Sequence, residues 1–347
     1  MINQDYFSKK VTFLNVMLTF FIVLLHSETP IRFGLILDSS YPLIYATYTV
    51  VQIGVPMFFF ISAILFYRGC SFSNLEDKYE RRVHSLLIPY LLWNTIFVFV
   101  YVALTHIPFL QARMNMPPDT LGSVKNVLAA IIHSRCTPLW FVKDLMLLTL
   151  LAPVILMLLK DMRWAFSAFV ISMIVALMGS YGYENILVWI PVYLQGAIIG
   201  RLSFTAGKYC SVDSYVTNKK FKAPLAILLS AVLVCLYILL YNNESFFSVF
   251  RYCAPIILWI LIDFLLKDYL SNQFKIKQWM SYMFIIYCMH QFILNVLQKM
   301  VYLSFAPTRL VLNLTFVLTP IITVLLIIWV AKYLSRFNFY KYLSGGR

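Results

Sequence analysis

Charged side chains are scarce in this sequence. Only 12% of the 347 residues are Asp, Glu, Lys or Arg, whereas 61% are hydrophobic, and the mean hydropathy is +0.81. A soluble domain carries about 25% charged residues, so water is not the main solvent of this chain. Long apolar runs recur without the strict alternation of barrel strands, which favours membrane-spanning helices.

The sequence also lacks the motifs of a disulfide framework or a metal site. Its six cysteines are scattered, with no CxxC pair and no neighbouring pair of histidines, so neither kind of site is predicted. The first apolar run follows Lys9 and Lys10, and no small-residue cleavage site follows that run. We therefore expect it to be a retained span and not a signal peptide.

The apolar runs predict an all-α, polytopic membrane helix bundle with about ten transmembrane helices, forming a single domain over residues 1–347. These runs are bounded by charges, prolines and turn residues, and the predicted spans lie near 10–27, 43–67, 84–106, 138–159, 163–179, 185–200, 223–241, 247–266, 279–298 and 309–333.

The positions of the basic residues predict the orientation of these spans. With the N-terminus inside, most of the 28 Lys and Arg residues fall in segments that face the cytoplasm, as the positive-inside rule requires. Both termini are therefore predicted to be cytoplasmic. This placement accounts for much of the +14 net charge without a nucleic-acid partner.

Polar residues inside an apolar span are costly, so each is a candidate for function. Asn15 and His26 are 11 residues apart in the first span, which places them within about 20° of the same helix face and roughly 16 Å apart along the axis. Imidazole is suited to taking a proton from a hydroxyl near neutral pH. His26 is therefore a candidate catalytic residue, with an interfacial or packing role as the alternative.

The ninth predicted span carries a second histidine, His290, near its middle and shortly after Tyr287. The fourth span carries Lys143 and Asp144 directly after Trp140 and Phe141. Adjacent residues on a helix point about 100° apart, so Lys143 and Asp144 are expected to face different neighbours.

Arg251 lies near the outer end of the eighth predicted span. Arg251 and Lys143 either extend to the membrane interface or bind substrate. On the cytoplasmic side, Lys78, Arg81 and Arg82 precede the third span. Guanidinium groups bind phosphates through paired hydrogen bonds, whereas the alternative role of this cluster is to anchor the span on the inner face.

Together these segments resemble the acyltransferase 3 family, the integral membrane enzymes that acylate envelope glycans. The segments that carry the resemblance are spread over nearly the whole chain: Asn15–His26 (NVMLTFFIVLLH), Val55–Phe66 (VPMFFFISAILF), LLIPY ending at Tyr90, Leu139–Leu145 (LWFVKDL), APVI at 152–155, Gln195–Arg201 (QGAIIGR) and Ser281–His290 (SYMFIIYCMH).

The resemblance implies roles for several of these residues. The family's first-span motif is an Arg followed by the essential His; His26 matches, whereas Asn15 stands at the position of the Arg. The family's basic motif, associated with acyl-CoA, is matched loosely by Lys78, Arg81 and Arg82. No SGNH-type domain follows the bundle, so a stand-alone form is expected.

The expected function is therefore transfer of an acyl group, acetyl in preference to succinyl, from acyl-CoA to a hydroxyl of a surface polysaccharide or other envelope glycan. His26, Asn15 and His290 are the predicted catalytic residues, with His26 a general base or a transient acyl carrier. Trp140, Lys143, Asp144, Arg251 and Tyr287 are the predicted substrate-binding or orienting residues.

The expected location is the bacterial plasma membrane, with acyl-CoA, a glycan acceptor and the lipid bilayer as partners and no tightly bound cofactor. No oligomeric state is predicted. A transporter or flippase of a lipid-linked saccharide is the competing interpretation, because intramembrane His, Lys and Asp residues also form proton or substrate pathways. A non-catalytic assembly subunit is the third.

Overall fold

The protein is an all-α bundle. The computed structural model describes residues 4–105, 107, 123–132, 137–179, 181–182, 184–205 and 219–346; it is 84% helical, and these residues contain no strand. The helices of seven or more residues are α1 (Gln4–Leu25), α2 (Pro42–Val51), α3 (Gly54–Tyr67), α4 (Leu75–Arg82), α5 (Ile88–Thr105), α6 (Val124–Ile132), α7 (Trp140–Leu150), α8 (Ala152–Leu158), α9 (Met162–Met178), α10 (Ile190–Thr205), α11 (Lys219–Asn242), α12 (Phe247–Asn272), α13 (Met283–Ser304) and α14 (Arg309–Leu334).

Seven helical segments of the described residues are long and apolar enough to cross a membrane. They are Gln4–Arg32, Pro42–Tyr67, Phe72–Leu104, Lys222–Asn242, Glu244–Asn272, Gln278–Ser304 and Arg309–Leu334. The pair α7 and α8 makes an eighth if it is counted as one span bent by 55°. Pro153 lies at the second position of α8, where a proline cannot donate the backbone hydrogen bond that would continue α7 into α8.

The prediction of a membrane helix bundle is confirmed, but the prediction of ten spans is not. The predicted spans 163–179 and 185–200 correspond to α9 and α10, which have 17 and 16 residues. A helix needs about 20 residues to cross the hydrocarbon core, so both are short for a full crossing. The cytoplasmic position of both termini stays a prediction.

Helices α3 and α10 pack more closely than most helix pairs because α10 presents two glycines to α3. A Cβ added at Gly200 would lie 2.8 Å from the carbonyl oxygen of Ile64, and one at Gly196 would lie 2.8 Å from the Cβ of Ala63 and still closer to the carbonyl oxygen of Phe60. The spacing of these glycines is the small-xxx-small pattern that lets membrane helices approach closely.

Helix α1 lies inside the bundle, where it contacts α2, α3, α12, α13 and α14. A buried ion pair fixes it to α12: the ammonium of Lys10 lies 2.7 Å from Asp263 Oδ1 and also donates to the carbonyl oxygen of Trp259 at 2.8 Å. The hydroxyl of Tyr6 donates to the same carboxylate oxygen at 2.5 Å. The side chain of Lys10 is therefore buried against α12.

Candidate active site

Helices α1 and α13 bring two histidines together. His26 follows the last residue of α1, and its backbone N–H still donates to the carbonyl oxygen of Ile22 at 3.2 Å. His290 lies on the second turn of α13 and is fully buried. Their ring centroids are 5.1 Å apart, with the ring planes inclined at 40°. The two histidines that the sequence singled out in separate spans are therefore neighbours.

The hydrogen bonds of His290 define its tautomer. Its Nδ1 lies 2.7 Å from the carbonyl oxygen of Tyr287 and 3.2 Å from that of Ile286. Carbonyl oxygens only accept hydrogen bonds, so the neutral ring carries its proton on Nδ1 and its lone pair on Nε2. Within the described residues, this buried Nε2 has no hydrogen-bond partner. His290 therefore holds an unused acceptor in the interior of the bundle.

His26 opens into a cavity of ≈ 370 Å³, which we call the histidine cavity. Its walls combine aromatic rings, an amide and two carboxylates with apolar side chains. The lining residues are Leu25, His26, Glu28, Tyr45, Tyr48, Thr49, Gln52, Val55, Trp140, Leu240, Glu244 and Phe247.

A second, smaller cavity of ≈ 90 Å³ lies between α1, α3, α7 and α13, and we call it the arginine cavity. Among the described residues, Arg82 is the only charged one in its lining, and its guanidinium donates to the carbonyl oxygen of Ser62 at 3.2 Å. The lining residues are Asn15, Thr19, Phe58, Ile61, Ser62, Leu65, Arg82, Leu86, Phe141, Val142, Leu145, Met283, Phe284 and Tyr287.

The two cavities follow one another along the same helices. On α1, Asn15 and Thr19 line the arginine cavity, whereas His26, just after α1, lines the histidine cavity roughly 16 Å along the axis from Asn15. The antiparallel helix α3 shows the reverse order, with Val55 in the histidine cavity and Ser62 in the arginine cavity.

Side chains of α7 and α13 separate the cavities. The ring of Tyr287 lies 6.1 Å from that of Phe141 and 6.1 Å from that of His290, measured between centroids. The Tyr287 hydroxyl donates to the carbonyl oxygen of Pro138, which holds the start of α7 against α13. Phe141, Tyr287 and His290 therefore form a partition between the two cavities.

The three basic residues that precede the third span have different surroundings. Arg82 lines the arginine cavity. The ammonium of Lys78 donates to the carbonyl oxygens of Phe66 and Arg68, at 2.7 and 3.0 Å, so it satisfies acceptors that the end of α3 leaves open. Arg81 is exposed. The structure thus places one of the three cations in a cavity and uses another as a helix cap.

Of the other predicted substrate residues, Trp140 lines the histidine cavity and Tyr287 lines the arginine cavity, whereas Lys143, Asp144 and Arg251 belong to neither lining as far as the structure describes it. Asp144 is buried, its Oδ2 has no hydrogen-bond partner among the described residues, and no ion pair joins it to Lys143 in that part of the chain. Arg251 is also buried, although the sequence allowed it to extend to the interface.

Arg251 packs behind the wall of the histidine cavity. Its guanidinium carbon lies 4.5, 4.9 and 5.9 Å from the ring centroids of Phe247, Trp189 and Tyr252. Phe247 also lines the histidine cavity. This aromatic enclosure keeps the charge within the protein, which favours a role in holding the cavity wall.

Sequence reasoning missed several polar residues of the histidine cavity: Glu28, Tyr45, Tyr48, Gln52 and Glu244. The sequence did contain a pattern that points to some of these residues. Tyr45, Tyr48 and Gln52 follow the spacing of one helix face within an apolar run, and Glu28 comes two residues after His26. Glu244 follows a pair of asparagines in a connection between helices, and no spacing in the sequence links it to His26.

An α-helical bundle with several membrane spans and a histidine pair between two internal cavities defines an integral, multi-pass membrane protein whose candidate site lies within the bundle. A family model described as an acyltransferase domain matches residues 11–333. The chain therefore belongs to the acyltransferase 3 family, and it is a membrane acyltransferase. Comparisons with curated proteins and with solved structures find no match.

Proposed function

We propose that this acyltransferase moves an acyl group, acetyl in preference to succinyl, from acyl-CoA to a hydroxyl of a cell-surface polysaccharide or another envelope glycan, in the bacterial plasma membrane. The observation that carries the proposal is the pair of cavities on either side of the partition, with His26 lining one of them and His290 packed against His26. Two substrates can then approach the imidazole pair from opposite ends of the bundle.

The arginine cavity is the proposed donor side. A guanidinium is always charged and binds phosphate oxygens through two parallel hydrogen bonds, which suits the anionic portion of acyl-CoA. Arg82 supplies this group, and Arg81 adds an exposed cation on the same helix. A cavity of ≈ 90 Å³ is too small for the nucleotide, so in the proposal it takes the narrow arm of the donor, and the phosphates stay outside it beside Arg82 and Arg81.

Asn15 belongs with the donor in this arrangement. It lines the arginine cavity and not the histidine cavity, so its amide is placed to hydrogen-bond the amide groups of the donor arm. The acyl carbonyl then reaches His26 past Phe141 and Tyr287. Trp140 and His26 bound the histidine cavity on the other side, where the acceptor hydroxyl is placed.

The chemistry that follows is general-base catalysis. His26 takes the proton of the acceptor hydroxyl as the oxygen forms a bond to the thioester carbonyl carbon. Collapse of the tetrahedral intermediate breaks the carbon–sulfur bond, and protonated His26 returns the proton to the departing thiolate of CoA. His290 positions the His26 ring and offers Nε2 as an acceptor within the buried pair.

A transfer assay tests this proposal. Purified protein in lipid nanodiscs is incubated with labelled acetyl-CoA and envelope glycan, and both CoA release and label on the glycan are measured. We expect His26→Ala to lower transfer by about 10²- to 10⁴-fold, the usual contribution of a general base. His84→Ala, at an exposed histidine outside both cavities, is the matched control.

Full transfer by His26→Ala would exclude the mechanism. Neither a flippase nor an assembly subunit predicts His26-dependent release of CoA, so the same assay separates those alternatives. Mass analysis of envelope glycan from cells with and without the protein then identifies the acyl group and the acceptor together.

A further inference from the structure

The histidine cavity has an unusual charge balance for so basic a protein. The chain carries a net charge of +14, yet the described residues that line the cavity include two carboxylates, Glu28 and Glu244, and no Lys or Arg. Its other ionisable lining residues are His26 and the phenols of Tyr45 and Tyr48. A bound group in this cavity therefore meets negative charge first.

The arginines beside the cavity do not reverse this balance. Arg251 packs against the rings of Phe247, Trp189 and Tyr252 and is not among the described residues that line the cavity. Arg32 lies four residues after Glu28, close enough for its charge to act on Glu28 and His26, but its side chain is exposed and is not among the described residues that line the cavity. Neither guanidinium presents its fork of donors to a ligand in the cavity, which recognition of a carboxylate or phosphate requires.

The remaining lining residues suit hydroxyl groups and sugar rings. Carboxylates and the carbonyl of Gln52 accept hydrogen bonds from hydroxyls, and a phenol such as that of Tyr48 both donates and accepts. The Tyr45 hydroxyl donates to the carbonyl oxygen of Tyr241 at 3.3 Å, so it faces a ligand as an acceptor. Trp140 and Phe247 offer broad apolar surfaces on which the carbon–hydrogen face of a sugar can pack. The volume of ≈ 370 Å³ is at the lower end of ligand pockets, which suits the terminal part of a glycan.

From this lining we infer that the part of the acceptor seated beside His26 is an uncharged or amino-bearing sugar, and that Glu28 and Glu244 exclude sugars carrying a carboxylate or phosphate. The inference rests on the proposed function, because it assigns the histidine cavity to the acceptor. A carboxylate in the cavity would be desolvated next to like charges without a cation to compensate. An ammonium or a hydroxyl would instead donate hydrogen bonds to the carboxylates of Glu28 and Glu244.

Binding of matched saccharides tests the inference without requiring acyl transfer. A panel of neutral hexose disaccharides, their amino-sugar counterparts and their uronic-acid counterparts is titrated calorimetrically into the protein in nanodiscs. We expect the neutral or amino member of a series to bind at least about tenfold more tightly than the uronic member, the ratio that about 1.4 kcal/mol produces. Glu28→Gln/Glu244→Gln should bring this ratio close to unity.

Glu80→Gln, at an exposed glutamate on α4, is the control that should leave the ratio unchanged. The inference is overturned if no neutral or amino sugar binds better than its uronic counterpart, or if Glu28→Gln/Glu244→Gln keeps the full preference. Charge-selective binding without His26-dependent transfer would sink the proposed function and leave the inference standing. His26-dependent acylation of an acidic sugar would do the opposite.

Discussion

At the scale of single residues, the proposed role of His290 is exerted through its contact with His26. Its Nδ1 is committed to the carbonyl oxygens of α13, which fixes the ring beside His26 and leaves Nε2 as an acceptor. We expect His290→Ala to lower kcat roughly 10²-fold, because a small displacement of a catalytic group has an effect of that size. The KM for acyl-CoA should change little, since His290 is outside the arginine-cavity lining.

Steady-state kinetics on His290→Ala measures this division between kcat and KM. His290→Gln, which keeps a polar side chain able to accept a hydrogen bond, should recover part of the lost kcat. Equal losses in both variants together with a large rise in KM would mean that His290 only maintains the fold.

Cys70 illustrates a residue whose burial argues against catalysis. A thioester donor raises the question of an acyl-cysteine intermediate, and Cys70 lies beside Lys78 and Arg201. Its side chain is fully buried, and this burial raises the pKa of the thiol despite the two nearby cations. Below that pKa the thiol is protonated, and the neutral thiol is a poor nucleophile.

We therefore expect Cys70→Ala to retain acyl transfer. Alkylation of Cys70 followed by mass spectrometry should be slow near neutral pH in the folded protein and faster after denaturation. Rapid alkylation in the folded state, or loss of transfer in Cys70→Ala with an intact fold, would reinstate the thiol as a candidate.

At the scale of helices, the contact of α3 with α10 depends on glycine. Gly196→Ala would put a methyl group into the backbone of α3, and neighbouring backbone cannot move aside as a flexible side chain can. We expect this substitution to lower the free energy of unfolding by about 1–3 kcal/mol, as overpacking does in other cores. Gly182→Ala, at a glycine whose added Cβ meets nothing within 4 Å, is the control.

Thermal unfolding of both variants in detergent, followed by near-ultraviolet circular dichroism, makes the comparison. A Gly196→Ala variant as stable as Gly182→Ala would show that α10 can shift away from α3 without lowering the free energy of unfolding.

Helices also show how far the sequence could be interpreted. Periodicity placed Asn15 and His26 on related faces of one helix, because that relation is local, and both line cavities of the bundle. The pairing of His26 with His290, and of Lys10 with Asp263, depends on how distant helices pack, which the periodicity of a single helix does not contain. Counting apolar residues likewise did not predict the bend after α7 or the short lengths of α9 and α10.

The roles of neighbouring charges were the hardest part of the site to predict. Lys78 and Arg82 are four residues apart on α4, so they lie on the same face of that helix and were expected to share one surface. One instead caps α3 and the other lines the arginine cavity, because the end of α3 offers open carbonyl oxygens within reach of Lys78. The different roles of Lys78 and Arg82 thus depend on which parts of other helices lie beside them in the folded protein.

At the scale of the whole molecule, the predicted orientation has a direct test. Both termini are on one side of the membrane only if the number of crossings is even, so the bent pair α7–α8 has to count as a crossing if α9 and α10 do not span. The distribution of Lys and Arg predicts that both termini are cytoplasmic. At either terminus, we therefore expect a reporter that works only in the cytoplasm to be active and a reporter that works only outside it to be inactive.

Paired fusions of a phosphatase active outside the cytoplasm and a fluorescent protein active inside it provide the measurement. Termini on opposite sides would mean an odd number of crossings and would contradict the predicted orientation.

The partition of Phe141, Tyr287 and His290 has a consequence for the bilayer as a permeability barrier. An enzyme that carried a whole nucleotide thioester or a whole glycan to the other compartment would have to open a wide aqueous path and then reseal it. In the proposed reaction only a few carbon and oxygen atoms change compartments, and they pass between two aromatic rings. The ion gradients of the cell are thereby left intact during each turnover.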